Sequence, residues 1–269
     1  MDKRSRLLKV VGYVLLSLMA AFNLVPILYM LINSLKLESE YAASPFSFPT
    51  SLAFENYARA WDVANMDTYF LNSILVTFGA LILTVLLGAL TAFFLARFKF
   101  KLRGVMYALF LIGLLIPIHA TLIPIFLIMM NIGLLDSRLS LILPYTAFHL
   151  SLTIFILEGF MRGLPKDLEE SAVMDGAGIF RIFWSIILPI TRPAIATVVI
   201  LNFIYNWNEY LFALVLVSSP GLKTLPLGLA NFAGVETASL TLQMAALTIA
   251  LIPIIIFYLL LQKQLVNGI

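Results

Sequence analysis

A chain of 269 residues that is 62% hydrophobic and only 12% charged carries more apolar surface than one water-soluble core can bury, which excludes an ordinary soluble globule. The same composition excludes a disordered chain, and the absence of cysteine excludes a disulfide framework and thiolate-based metal or redox chemistry. A net charge of +3 is accounted for by basic residues flanking membrane segments, so no nucleic-acid partner is indicated.

Asp, Glu, Lys and Arg are absent from Val10 to Leu35, Thr68 to Ala96, Gly104 to Leu135, Leu139 to Leu157 and Thr237 to Gln262. Each stretch reaches the roughly 18 to 20 residues that cross a bilayer. A sixth lies between Arg192 and Lys223, interrupted only by Glu209. Backbone amides in hydrocarbon must be satisfied within the segment, and these runs are too long and unalternating for barrel strands. The prediction is an all-α membrane protein with six transmembrane helices, their cores at Val10–Ile32, Ile74–Phe94, Val105–Leu127, Leu141–Phe160, Ala194–Leu216 and Leu240–Leu261.

In chain order, Lys3, Arg4, Arg6 and Lys9 precede the first helix, which is expected to be retained because its apolar run exceeds a signal-peptide core. A connection of about 40 residues carrying Pro45, Pro49, Asn56, Tyr57 and Trp61 leads to helix two. Helix three contains Pro117 and Pro124, which free backbone carbonyls and permit bending. A short link with Asp136 and Arg138 leads to helix four. Thirteen of the 17 Lys and Arg residues fall at the N-terminus, in the second and fourth connections and in the tail, which places both termini in the cytoplasm.

The fourth connection, residues 164–185, is too polar to cross lipid but carries helix punctuation. Pro165 suits a first helical position, Asp167, Glu169 and Glu170 suit the positive end of a helix dipole, and Asp175-Gly176 suits its termination. Ile179, Phe180 and Phe183 then form a second apolar face. From these residues alone, an amphipathic element resting on lipid headgroups and a docking element remain alternatives.

Helix five carries a polar cluster, in which Asn202, Tyr205, Asn206 and Glu209 share one face that either glues helices together or lines a path for a hydroxylated solute. His119 and His149 lack metal-ligand spacing and read as bundle histidines or path residues. No Gly is followed by Lys, so there is no P-loop, and no Gly-x-Ser-x-Gly elbow occurs, so no catalytic role is expected. The fifth connection, Ser218 to Ser239, contains Pro220-Gly221, Leu225-Pro226-Leu227-Gly228 and Gly234, and is either a plain connector or a functional loop.

Glu170-Ser171-Ala172, Asp175-Gly176-Ala177 and Leu188-Pro189 together resemble the EAA motif of binding-protein-dependent ABC importer permeases, with Ser171 in place of the first Ala. Asn56-Tyr57, Asn72-Ser73, Ala96-Arg97-Phe98 and Trp207-Asn208-Glu209-Tyr210 resemble the carbohydrate-uptake branch, and within it the second, six-helix permease subunit of maltose-type importers. The resemblance implies a type I ABC importer permease fold with a cytoplasmic coupling helix. Residues 1–66 would form the N-terminal tail, first helix and outer loop, residues 67–265 the transmembrane domain including the coupling segment 164–185, and residues 266–269 a short tail, at which the chain departs from maltose-type relatives that continue further into the ATPase.

The implied partners are a homologous permease, two cytoplasmic ATPases, an extracytoplasmic sugar-binding protein and membrane lipid, with no cofactor. The implied coupling residues are Glu170, Ser171, Ala172, Asp175, Gly176, Ala177, Leu188 and Pro189, with Ala172 and Ala177 allowing close approach of an ATPase groove. The fifth connection would enter the binding protein. The competing readings are an ion-coupled secondary transporter titrating at Glu209, or an ABC permease for a polyol, glycerol phosphate, amino acid or metal ion.

Overall fold

The structure is a computed structural model and describes residues 3–233 and 239–268. Among these residues all regular structure is helical. The helices are α1 (Lys3–Ser34), α2 (Glu38–Ala43), α3 (Glu55–Val63), α4 (Met66–Arg97), α5 (Arg103–Leu115), α6 (Leu122–Asn131), α7 (Leu139–Gly163), α8 (Asp167–Met174), α9 (Ile179–Ile182), α10 (Leu188–Ile190), α11 (Arg192–Asn208), α12 (Leu211–Leu216), α13 (Leu225–Ala233) and α14 (Leu240–Gly268).

Four helices, within α1, α4, α7 and α14, are continuous and apolar enough to span a bilayer. The third and fifth spans are bent pairs, giving six when each pair counts once. The third, expected as one rod from Val105 to Leu127, instead turns by 96° between α5 and the segment Ile118–Asn131. Its cause is Pro117, whose ring pushes Ile116 into an extended conformation (φ −78°, ψ 119°). Pro124 causes no break, because it lies in the first turn of α6, where a backbone N–H has no helical partner to lose. His119 therefore sits in the 3-10 turn at this corner.

The fifth span bends by 74° between Ile179–Ile190 and α11. Pro189 cannot donate to the carbonyl four residues back, and the chain upstream widens into a π turn, Phe183–Ile187, in which the Leu188 N–H reaches the Phe183 carbonyl. Further along, α11 stops at Asn208. Glu209 is extended (φ −69°, ψ 128°) and a new helix, α12, begins at Leu211, so the expected continuous core from Ala194 to Leu216 is two helices.

The chain divides into two compact units, Met1–Asp67 with Leu229–Pro253, and Thr68–Gly228 with Ile254–Ile269. In the first, the end of α1 is fastened to the connection that follows it. Asn56 donates to the carbonyls of Ser34 (2.9 Å) and Lys36 (2.8 Å), and the Tyr57 and Ser34 hydroxyls pair at 2.7 Å. Lys36, fully buried, donates to the Ser44 and Pro45 carbonyls. Asn56-Tyr57, singled out from the sequence, thus closes the loop on its own helix.

In the second unit α7 packs against both α5 and α11. Small residues let the backbones approach, the usual device where lipid removes the hydrophobic drive between helices. A Cβ on Gly88 of α4 would meet the Thr153 methyl at 2.5 Å, and one on Gly113 of α5 would collide with the Ser151 hydroxyl. Gly88→Ala should therefore destabilise the purified chain by about 1 to 3 kcal/mol through overpacking. Gly159→Ala, where a Cβ enters open space, should be neutral or stabilising by up to about 1 kcal/mol from helix propensity. Thermal melts in detergent measure both, and equal shifts for the two variants would contradict the close α4–α7 approach.

Candidate functional site

The 164–185 segment is built as a rigid corner. Leu164 precedes Pro165 and is extended (φ −73°, ψ 140°), which ends α7. The next helix begins two residues later than the proline suggests, at Asp167, with Asp167, Glu169 and Glu170 in its first turn at the positive end of the dipole. Its far end closes with a complete Schellman motif. The Ala177 N–H bonds the Ala172 carbonyl (2.9 Å), the Gly176 N–H bonds the Val173 carbonyl (2.9 Å), and Gly176 takes φ +79°, which glycine alone adopts without strain. Ser171, the residue that departs from the motif, turns its hydroxyl back to the Asp167 carbonyl (2.7 Å) and presents no new group outward.

The two sides of this corner differ in chemistry. Buried Ala172, Ile182 and Phe183, with half-buried Ala177 and Leu188, pack with Phe93, Leu157, Met161 and Ala194 in one apolar cluster, and Pro189 is also half-buried. Ala172 and Ala177 therefore allow close approach of the chain's own helices. Facing away are Glu170, Ser171, Asp175 and Gly176, together with apolar residues that nothing among the described residues covers, Met174 (87% exposed), Phe180 (74%) and Val173 (59%).

Glu169 and Glu170, adjacent in sequence, part company here. Glu169 lies three residues before buried Ala172, hence on its face, and forms an ion pair with Arg97 Nε at 2.5 Å. Arg97, the last residue of α4, also donates from Nη1 and Nη2 to the Leu164 carbonyl, each at 3.1 Å. Nearby, buried Glu158 on α7 accepts from Arg162 and from Arg103. Arg97, Glu169 and Glu158 were not recognised as a set in the sequence. The available signal was the i, i+3 relation of Glu169 to Ala172.

Three of the four polar candidates of the fifth span meet residues spaced four apart on α7, Thr153, His149 and Tyr145, although Glu209 lies beyond the end of α11. Asn202 donates to the Thr153 hydroxyl at 3.0 Å, tying α11 to α7, and Asn206 is buried. Tyr205 is 55% exposed, with its ring stacked on His149 (centroids 5.4 Å apart, 22° between planes). Glu209 lies beyond the helix end and caps α12. Its carboxylate accepts from the N–H groups of Phe212 (2.8 Å) and Ala213 (3.2 Å) and from the Tyr145 hydroxyl (2.5 Å). Of the four candidates, only Tyr205 is both aromatic and open.

At the opposite end of the unit, the fifth connection is pinned down. Its described part holds a 3-10 turn (Pro220–Leu222) and α13, and residues 234–238, with Gly234, lie outside the described residues. Asn72 donates to the Gly221 and Lys223 carbonyls and accepts from Arg138 Nε (3.0 Å), while Ser73 Oγ accepts from the Leu225 N–H (2.7 Å). Asp136 accepts from the N–H groups of Ser218 (2.9 Å) and Ser219 (2.8 Å) and from the Ser219 hydroxyl.

The Ser219 hydroxyl, and then the backbone donors, hold the Asp136 carboxyl below its ordinary value of 3.8. A lowered carboxyl pKa adds stability above the ordinary value, and that contribution is lost as pH falls through the lowered one. Amide exchange at Ser218 and Ser219 should therefore quicken as pH drops below the ordinary Asp range, relative to intrinsic rates. Asp136→Asn should show fast exchange at all pH values, and a wild-type exchange pattern in that variant would remove Asp136 as the fastening.

A family model described as binding-protein-dependent transport system inner membrane component matches residues 84–269. The diacetylchitobiose uptake system permease protein NgcG of Streptomyces coelicolor is 39% identical over 261 residues, covering 96% of this chain and 86% of that one. The melibiose/raffinose/stachyose import permease protein MelC of Bacillus subtilis is 32% identical, covering 94% and 92%. Among solved structures, a bacterial ABC transporter involved in the import of the acidic polysaccharide alginate contains a chain that superposes with a TM-score of 0.83 at 26% identity, covering 98% of each chain.

The chain belongs to the family of binding-protein-dependent transport system inner membrane components and has the type I ABC importer permease fold. It is a multi-pass, non-catalytic membrane subunit, and membership implies an ATPase and a binding protein as partners.

Proposed function

We propose that this chain is the translocation subunit of an ATP-driven importer for a sugar or oligosaccharide. The relatives named for diacetylchitobiose, for melibiose, raffinose and stachyose, and for alginate support a saccharide as cargo. In this reading both termini and the 164–185 segment lie in the cytoplasm, as the Lys and Arg distribution favours. The assembly contains a homologous permease, two ATPase subunits and an extracytoplasmic binding protein that meets the connection pinned by Asp136 and Asn72.

The observation that carries the proposal is the two-sided corner. Its inner side is packed into the transmembrane helices, while its outer side presents Glu170 beside uncovered Val173, Met174 and Phe180. A rigid element of this kind can be gripped by a soluble motor and pass a rigid-body displacement to the bundle, where a flexible loop would absorb it. ATP-driven closure of the ATPases then biases the permease pair between inward-open and outward-open states, with Tyr205 along the path.

Reconstituted proteoliposomes test this with diacetylchitobiose, raffinose and an alginate oligosaccharide as probes. Uptake should need ATP and all partner subunits, and should ignore an imposed proton gradient. Gradient-driven uptake by this chain alone would overturn the proposal in favour of an ion-coupled carrier.

A further inference from the structure

The weakest point of the corner is its root. Between the end of α7 at Gly163 and the start of α8 at Asp167 the chain is non-helical, and Pro165 removes one backbone donor there. Apolar packing beneath α8 resists separation but has no direction, so it alone does not prevent α8 from swinging about this joint.

Arg97 spans the joint. Its two terminal nitrogens hold the Leu164 carbonyl, before Pro165, and its Nε meets the Glu169 carboxylate, beyond it. The two charged side chains are 4% and 18% exposed, so the pair is shielded from screening by solvent and salt. A planar guanidinium fork holds the Leu164 carbonyl by two N–H groups at a fixed angle while its Nε edge makes a charge contact with Glu169, which a lysine ammonium cannot do in one geometry. One arginine therefore ties the end of α4 to the end of α7 and to α8.

We propose that Arg97 is a positioning residue, a strut that makes α4 follow α8, and that the Arg97–Glu169 pair thereby sets how much helix movement each ATPase closure produces. This rests on the reading of the 164–185 segment as the part gripped by the ATPase. Arg97 and Glu169 face inward, away from the surface carrying Glu170, so loss of the strut leaves docking intact while loosening what docking drives.

The chain has no cysteine, which permits spin labels at two introduced sites, Asp167→Cys on α8 and Ile82→Cys on α4, both exposed. In the assembled transporter, the distance between labels is measured by pulsed electron resonance without nucleotide and after trapping with ATP and vanadate. With the strut intact the distance should be the same in both states.

Arg97→Lys keeps the charge and loses the fork, and Glu169→Gln keeps the shape and loses the charge. Each should let trapping shift the distance and raise the displaced population about five-fold, a usual size for a residue that modulates coupling. ATP hydrolysis should stay within about two-fold of wild type, since the exposed face is untouched. The swap Arg97→Glu with Glu169→Arg should restore part of the wild-type distance.

An unchanged distance in both single variants overturns the proposal, as does a fall in ATP hydrolysis as large as the structural change. Glu170→Lys, run in parallel, separates the two readings. If it leaves ATP hydrolysis and trapping unaltered, the docking reading fails. If it abolishes stimulation while Arg97→Lys behaves as wild type, the strut alone fails. Should Arg97→Lys not assemble, the near-isosteric Glu169→Gln decides by itself.

Discussion

Replacing Glu170 by lysine is expected to reduce uptake by at least about ten-fold while the protein remains inserted and folded. The side chain is exposed on the outer face of α8, so no packing is lost, and reversing one charge in the first turn of α8 costs about 1 kcal/mol or less. In the proposed docking role, its position beside uncovered Val173 and Met174 puts it on the surface offered to a partner, where juxtaposed like charges cost several kcal/mol.

Gly176→Val should reach the same endpoint by another route. A β-branched residue at φ +79° costs at least about 1 to 2 kcal/mol, and the Schellman closure that fixes the tip would yield before the core does. Uptake and binding-protein-stimulated ATP hydrolysis, each normalised to membrane content, measure both variants. Full activity in Glu170→Lys with normal membrane content would remove Glu170 from the docking surface.

The two glutamates show how far the sequence carries. That residues 167–174 form a helix ended by glycine was legible, because capping and dipole rules act over a few residues. The direction each acid faces was not, because it depends on which side of α8 meets α4, 72 positions earlier in the chain for the Arg97–Glu169 pair. The same boundary separates Pro117 from Pro124. Composition marks both as bends, yet only Pro117 breaks the span, since Pro124 falls where a helix begins anyway. Asn56 and Asn72, singled out as motif residues, fasten loops through carbonyls that no pattern in the side chains would reveal.

Glu209→Ala is expected to remove most of the folded protein from the membrane. Deleting the carboxylate strands the Phe212 and Ala213 N–H groups at the start of α12 and leaves the buried Tyr145 hydroxyl without its acceptor. Each unmet donor costs about 1 to 3 kcal/mol, so the total is comparable with the stability of a whole domain. Glu209→Gln should be milder, because the amide oxygen still accepts one N–H and the amide nitrogen can donate to Tyr145 if that hydroxyl reverses its role.

The comparison between these variants also separates two kinds of transporter. If Glu209 is a cap, ATP-driven uptake should follow the amount of folded protein, low in Glu209→Ala and substantial in Glu209→Gln. If Glu209 carried a proton through a transport cycle, Glu209→Gln would be present at full level and inactive. Three donors converging on the carboxylate at a helix start, with none of its oxygens left free of a partner, favour the cap. Membrane content by immunoblot and uptake per folded molecule read the two outcomes in one experiment.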